Sequence, residues 1–152
     1  DVLADRPRTL FPTIPYAVYL VVGRSFYGFH IRFTEIARGG IRLILSRNGQ
    51  VYKKNCATLL EENYNLAYTQ QLKNKDIPEG GSKGTILMDM DSQNLKTSGR
   101  EAFNNYIDAL LDCILAKETG IYSHLTKPEM LFFGPDENTA GFMNLGALRA
   151  KA

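Results

Sequence analysis

Ala17-Val18-Tyr19-Leu20-Val21-Val22, Gly23-Arg24-Ser25-Phe26-Tyr27-Gly28 and Phe29-His30-Ile31-Arg32-Phe33-Thr34 follow one another without interruption. The outer two segments are rich in aromatic and β-branched residues, and the middle one is bounded by glycine. This pattern predicts strands over 16–20 and 29–34, and a third over 41–45 after a break at Gly39-Gly40. Strands this close in sequence leave no room for helical crossovers, so the sheet they open is mixed.

Further along the chain the period changes. Cys56, Leu59, Leu60, Tyr64 and Ala67 recur at three- and four-residue steps, which predicts a long helix over 51–72 with one buried face. A polar, aperiodic break over 73–84 precedes a strand expected over 85–90. A second helix over 99–117 turns Phe103, Tyr106, Ile107, Leu110, Leu111 and Ile114 inward, and Gly120 ends it. A short buried strand over 130–133 leads to Asp136-Glu137-Asn138-Thr139, expected to open a last helix with Asp136 or Asn138 as its cap. Alternating strands and helices predict a three-layer α/β domain, a mixed sheet covered by helices on both faces. Pro7, Pro12 and Pro15 make residues 1–15 an extended lead-in, with the domain over 16–152.

Composition narrows the function classes. The chain has 152 residues, 44% apolar and 22% charged, with net charge +2. That is one soluble-type domain. It has neither a basic tract suited to nucleic acid nor an apolar run of roughly 18 residues suited to a membrane. Cys56 and Cys113 lack metal-site spacing and read as reduced, buried thiols. With His30 and His124 the only imidazoles, no metal site is expected. The start lacks methionine and the end falls mid-pattern in a helix, so both ends read as cuts in a longer protein.

Three segments can carry chemistry. In Ala37-Arg38-Gly39-Gly40-Ile41-Arg42, cations flank a glycine pair, which suits a carboxylate site or, equally, a turn with solvated arginines. In Pro78-Glu79-Gly80-Gly81-Ser82-Lys83-Gly84-Thr85, a lysine stands between glycines. Desolvated or beside another cation, it could move protons near neutrality. It is no phosphate loop, because glycine follows the lysine and a strand follows the glycine. In Phe132-Phe133-Gly134-Pro135-Asp136-Glu137-Asn138-Thr139, an acid follows a buried strand, either as a functional group or as a cap. Gly-x-Gly-x-x-Gly is absent. Cations for carboxylates, a base for proton transfer and a group to manage water at the imine stage are the parts needed to oxidise an amino acid at its α-carbon.

In their order along the chain these three segments, with Gly28-Phe29-His30-Ile31-Arg32-Phe33 and Lys73-Asn74-Lys75-Asp76-Ile77, resemble the large NAD-specific glutamate dehydrogenases. The resemblance runs from about Tyr16 to the end. It implies the fold of an amino acid dehydrogenase N-terminal domain. It also implies Lys83 as the catalytic lysine and Asp136 as the proton-carrying carboxylate. Lys73, with Lys75 as competitor, would hold the substrate α-carboxylate. Arg38 would face the side-chain carboxylate, where leucine-type relatives carry an apolar residue. Gly39, Gly40, Gly80 and Gly81 would let the backbone approach substrate and nicotinamide. The implied substrates are L-glutamate and 2-oxoglutarate, and the implied cofactor is NAD, bound mainly by a Rossmann-like domain this chain lacks. The implied parent is a homo-oligomer, cytoplasmic or mitochondrial. A leucine- or phenylalanine-type dehydrogenase and a non-catalytic module on the same fold are the competing readings. The chain alone is expected to transfer no hydride, and glutamate-dependent NAD reduction by these residues would overturn that.

Overall fold

The computed structural model describes residues 3, 5–73, 76–115 and 129–151. His124, Lys75, Gly120 and the predicted end of the second helix lie outside them. Strands β1 (Ala17–Val22), β2 (Phe26–Arg32) and β3 (Ile36–Ile44) precede helix α1 (Gly49–Lys73). Then come β4 (Gly80–Met88), α2 (Arg100–Leu115), β5 (Met130–Pro135) and α3 (Met143–Arg149). One sheet holds all five strands in the order β1-β2-β4-β3-β5. The first three neighbours pair antiparallel, while β3 is parallel to both β4 and β5. The mixed sheet expected from sequence is present, with α1 on one face and α2 on the other.

Alternation along the strands assigns the faces. Ile41, Leu43, Ile86 and Met88 pack with Phe103, Tyr106, Ile107 and Leu110 of α2. Ile44 and Leu87 pack with Leu59 of α1 on the opposite side. Leu111 and Ile114 are only partly buried at the edge of the α2 layer. On α1 the buried residues are Leu59, Asn63, Tyr64 and Ala67. Cys56 and Leu60 reach the core only in part, and Asn63 was invisible to an apolar period. Both thiols are free and half-buried rather than buried. Among the described residues no helix is long and apolar enough to cross a membrane.

Several expectations change in detail. The lead-in turns at Pro7–Phe11 instead of running extended, because Leu10 and Phe11 both donate to the Pro7 carbonyl. It is anchored on α1: Phe11 packs edge-on against Tyr64 at 4.8 Å, and the Tyr64 hydroxyl both accepts from Thr13 N–H and donates to Thr13 C=O. The Gly39-Gly40 break does not exist, since β3 runs straight through it. The aperiodic break does not reach Gly84 either, because β4 starts at Gly80. Glycines have no side chains to alternate, so a period-2 reading misses strands made of them, although their main chains still pair.

His30 on β2 is fully buried, and both its ring nitrogens lack a hydrogen-bond partner. Burial, reinforced by the Arg32 cation, lowers its pKa from 6.5 to about 3. Between those values the unfolded chain binds a proton that the folded chain refuses, so acidification favours unfolding. Chemical denaturation at pH 7, 6, 5 and 4 should therefore show the native protein losing stability relative to His30→Phe. The difference should grow by up to about 1.4 kcal/mol per pH unit below pH 6.5. Parallel pH dependences in the two proteins would show that His30 takes up its proton in the fold.

Candidate active site

The helix α1 packs mainly on β4 and β2, and among the described residues no helix covers this face of the sheet beside Gly40 and β5. Arg38, Gly40 and Arg42 of β3 share the parity of Ile44 and so point to this face. Phe133 packs toward α2, which leaves Phe132 and Gly134 of β5 on the open side, with Phe132 47% exposed. Gly40 pairs with Gly134 in the ladder. Arg38 pairs with Gly81 and Ile41 with Gly84, so Lys83 of β4 lies across from Gly40. The result is a floor of two adjacent glycines with Lys83 at one side.

Asp136 closes the other side. Its carboxylate is paired with the Lys83 ammonium, whose side chain is 11% exposed against 31% for Asp136. A Cβ on residue 40 would fall 2.7 Å from Asp136 Oδ2 and 2.9 Å from its Cβ. The bare Gly40 is thus the space through which lysine and aspartate meet. Gly39, on the opposite face, serves the fold: a Cβ there would lie 1.7 Å from the Ser82 carbonyl oxygen.

A stitched turn holds Asp136 in place. Pro135 has no N–H to donate, and the regular β3–β5 ladder ends at it. Instead Leu43 N–H donates to the Glu137 carbonyl at 3.0 Å, the Asn138 amide donates to Leu43 C=O at 2.9 Å, and the buried Thr139 hydroxyl donates to Ile41 C=O at 2.7 Å. Asn138 has φ of 60°, a left-handed conformation that asparagine tolerates better than most residues. Neither Asp136 nor Asn138 caps the last helix. Asp136 Oδ1 accepts from its neighbour Glu137 N–H, and a short 3-10 turn, Ala140–Phe142, intervenes before α3.

Burial of the Asp136 carboxyl would raise its pKa, but the Lys83 ammonium, the Glu137 N–H and the Arg42 guanidinium outweigh it and the net shift is downward. Asp136 is therefore ionised at neutral pH and able to accept a proton. Arg42 is held by Glu137, with Nη2 and Nε at 2.7 and 3.1 Å from one carboxylate oxygen. Arg38 sits at the outer end of the same row, its Nε 3.5 Å from Glu79.

Of the remaining expected site residues, two serve packing and one stands at the end of α1. Gly81 faces α1 so closely that a Cβ would meet Gln71 N at 2.2 Å and Ala67 O at 2.3 Å. A Cβ on Gly80 would run into the Thr34 side chain. Lys73 is exposed at the C-terminal end of α1. The structure adds Gly134, Phe132, Arg42, Glu137, Thr139 and Glu79, which sequence reasoning did not assign. All six stood inside the quoted motifs, but the two arginine–glutamate pairs join distant segments and leave no local signal.

The domain is a mixed sheet with one glycine-floored face and a lysine–carboxylate pair. In fold it is similar to L-tryptophan dehydrogenase from Nostoc punctiforme, with a TM-score of 0.59 at 15% identity over 95% of this chain and 38% of that one. The family model described as bacterial NAD-glutamate dehydrogenase, catalytic domain, matches residues 6–132. The chain belongs to that NAD-glutamate dehydrogenase family. Its relatives include glutamate dehydrogenase 2 of Dictyostelium discoideum, 55% identical over 93% of this chain. The NAD-specific glutamate dehydrogenases of Saccharomyces cerevisiae and Neurospora crassa are 49% and 48% identical over 93% and 96% of it. The chain spans only 13–14% of these relatives' own length. The family match includes Arg38 and Lys83 and stops just before Asp136.

Two measurements check this geometry. In Lys83→Met the Asp136 carboxyl loses its ammonium partner while its burial remains, so its pKa, read by carboxyl NMR, should rise; an unchanged value would mean the pair does not form in solution. At residue 138 glycine keeps the left-handed backbone and alanine does not. Both lose the bond to Leu43, and Asn138→Ala should be less stable than Asn138→Gly by about 1 kcal/mol in thermal denaturation.

Proposed function

We propose that this chain forms the substrate-binding and proton-transfer part of an NAD-dependent glutamate dehydrogenase, which deaminates L-glutamate oxidatively to 2-oxoglutarate and ammonia. The observation that carries the reading is the Lys83–Asp136 pair meeting over the side-chain-free floor of Gly40 and Gly134. It is supported by about half-identity to NAD-specific glutamate dehydrogenases along nearly the whole chain.

In this reading the amino acid lies over the glycine floor with its α-amino group between Lys83 and Asp136. Asp136, an ionised carboxylate beside the open floor, takes the proton that the α-ammonium must lose before the C–H bond can break. The oxidised nicotinamide of NAD supplies the hydride acceptor when bound. Its adenosine and pyrophosphate are held by residues outside this chain, which has no Gly-x-Gly-x-x-Gly. Water then adds to the imine carbon and gives up a proton to solvent; as the carbinolamine loses its second O–H proton, Lys83 stabilises the negative charge developing on that oxygen, and Asp136 returns its own proton to the nitrogen that leaves as ammonia. Arg38 receives the side-chain carboxylate, because a carboxylate leaving water needs a cation. Lys73, with Lys75 as its competitor, receives the α-carboxylate. Gly80 and Gly81 contribute by letting β4 lie close to its neighbours. A homo-oligomeric parent, cytoplasmic or mitochondrial, fits the same reading.

The full-length dehydrogenase carrying this chain should form NADH with L-glutamate and not with L-leucine. Lys83→Ala should cut kcat by at least about 100-fold. Arg38→Leu should lower kcat/KM for glutamate by a similar factor, the order expected for stranding a buried carboxylate. Turnover with leucine in the native enzyme would mean that Arg38 is not the selector. Full activity in Lys83→Ala would favour a non-catalytic module.

A further inference from the structure

Arg38 is not a free cation on the open face. Its nearest carboxylate is that of Glu79, with Arg38 Nε 3.5 Å from Glu79 Oε2, and the two side chains are 51% and 28% exposed. Glu79 immediately precedes β4, and the ladder pairs Ala37 with Gly80 and Arg38 with Gly81. The acid and the arginine are therefore carried by adjacent, hydrogen-bonded backbones whose relative position is fixed. Glu79 Oε2 is shielded from solvent and accepts no hydrogen bond of good geometry, so its charge acts on Arg38 without satisfying it. The approach is from the Nε edge. A guanidinium has five N–H donors in a rigid planar fork, and an acid at Nε leaves the terminal Nη1–Nη2 edge available for a second, two-pronged carboxylate.

We infer that Glu79 is a positioning residue for substrate selection: it holds the Nε edge of Arg38 so that the terminal edge stays presented to the side-chain carboxylate of a dicarboxylic amino acid. This deepens the proposed role of Arg38 and rests on it. A long, half-exposed arginine without such an anchor samples several rotamers, and a substrate must then order it on binding. A merely electrostatic role would act in the opposite direction, because removing a negative charge beside Arg38 would strengthen its pull on a dicarboxylate.

The test uses the full-length dehydrogenase with L-glutamate and with L-norvaline, which has a methyl group in place of the side-chain carboxylate. Glu79→Ala should raise KM for glutamate by about 3- to 10-fold, the cost of ordering one rotamer-rich side chain, with kcat nearly unchanged. Its kcat/KM for norvaline should not move. Glu79→Gln, which keeps a side chain of the same shape with an oxygen beside Nε, should restore KM to within about 2-fold of the native value. A lower KM for glutamate in Glu79→Ala would overturn the inference in favour of Glu79 as a competitor for Arg38. Equal loss with both substrates would overturn it in favour of a general structural role. Arg38→Leu keeps the two levels apart. Selective loss of glutamate in Arg38→Leu with an unaffected Glu79→Ala sinks the positioning role alone, whereas equal loss of both substrates in Arg38→Leu sinks the reading of Arg38 beneath it.

Discussion

Strand β3 lies between β4 and β5 at a point where two successive residues cannot carry a side chain. At residue 39 the obstacle is backbone, with the Ser82 carbonyl 1.7 Å from where a Cβ would stand. A clash with main chain cannot be relieved by a rotamer change, so the sheet closes on the α2 side only with glycine there. At residue 40 the obstacle is the Asp136 side chain, at 2.7 Å. A carboxylate can swing away, so the fold would survive a methyl group at 40 more readily than the Lys83–Asp136 pair would. Two adjacent glycines thus answer to different demands, one to the sheet and one to the site.

The same division runs through the turn after β5. A proline ends the β3–β5 ladder at Pro135. Had the chain simply left the sheet there, Asp136 would ride on a loop, and its carboxylate would need to find Lys83 afresh. Side chains and one carbonyl instead extend the attachment to β3 through Ile41 and Leu43. Each such bond contributes on the order of 1 kcal/mol to stability. Their larger effect is on geometry, since they place the carboxylate on backbone as fixed as a strand. Burial would raise the pKa of this partly exposed carboxylate, but the Lys83 ammonium, the Glu137 N–H and the Arg42 guanidinium that the turn brings to it lower it on balance.

Helices α1 and α2 and the strands around Phe29 and Ile41 were legible in the sequence because their side chains alternate between a wet and a dry face. The glycine-rich strands were not. Residues 36–40 and 80–84 read as a turn and a loop, and both are strand. Their extended state is imposed by neighbours on both sides rather than by any preference of their own, and tertiary pairing of that kind has no local sign. Lys83 and Asp136 could be singled out as chemical groups, but only the register, with Lys83 across from Gly40, shows why they touch. Asn63, buried without a polar partner, and the cation–carboxylate pairs of Arg38 and Arg42 lay beyond any reading by periodicity.

Three cations and three carboxylates line the open face: Arg38 with Glu79, Arg42 with Glu137 and Lys83 with Asp136. Unpaired, three positive groups this close would repel one another and bind any anion. Paired, they are neutral as a set, yet they differ in how firmly each is held. Arg42 meets its partner at 2.7 Å through two nitrogens, so it is the least available to a ligand and acts on Asp136 from a distance. Arg38 meets its partner only at 3.5 Å and through Nε, so it is the most loosely held of the three. Lys83 meets Asp136 directly, but over a floor with no side chains, where a small polar group can enter between them. In the proposed function, the side-chain carboxylate goes to the most loosely held cation, Arg38, and the amino group goes to the ionised carboxylate that borders open space, Asp136.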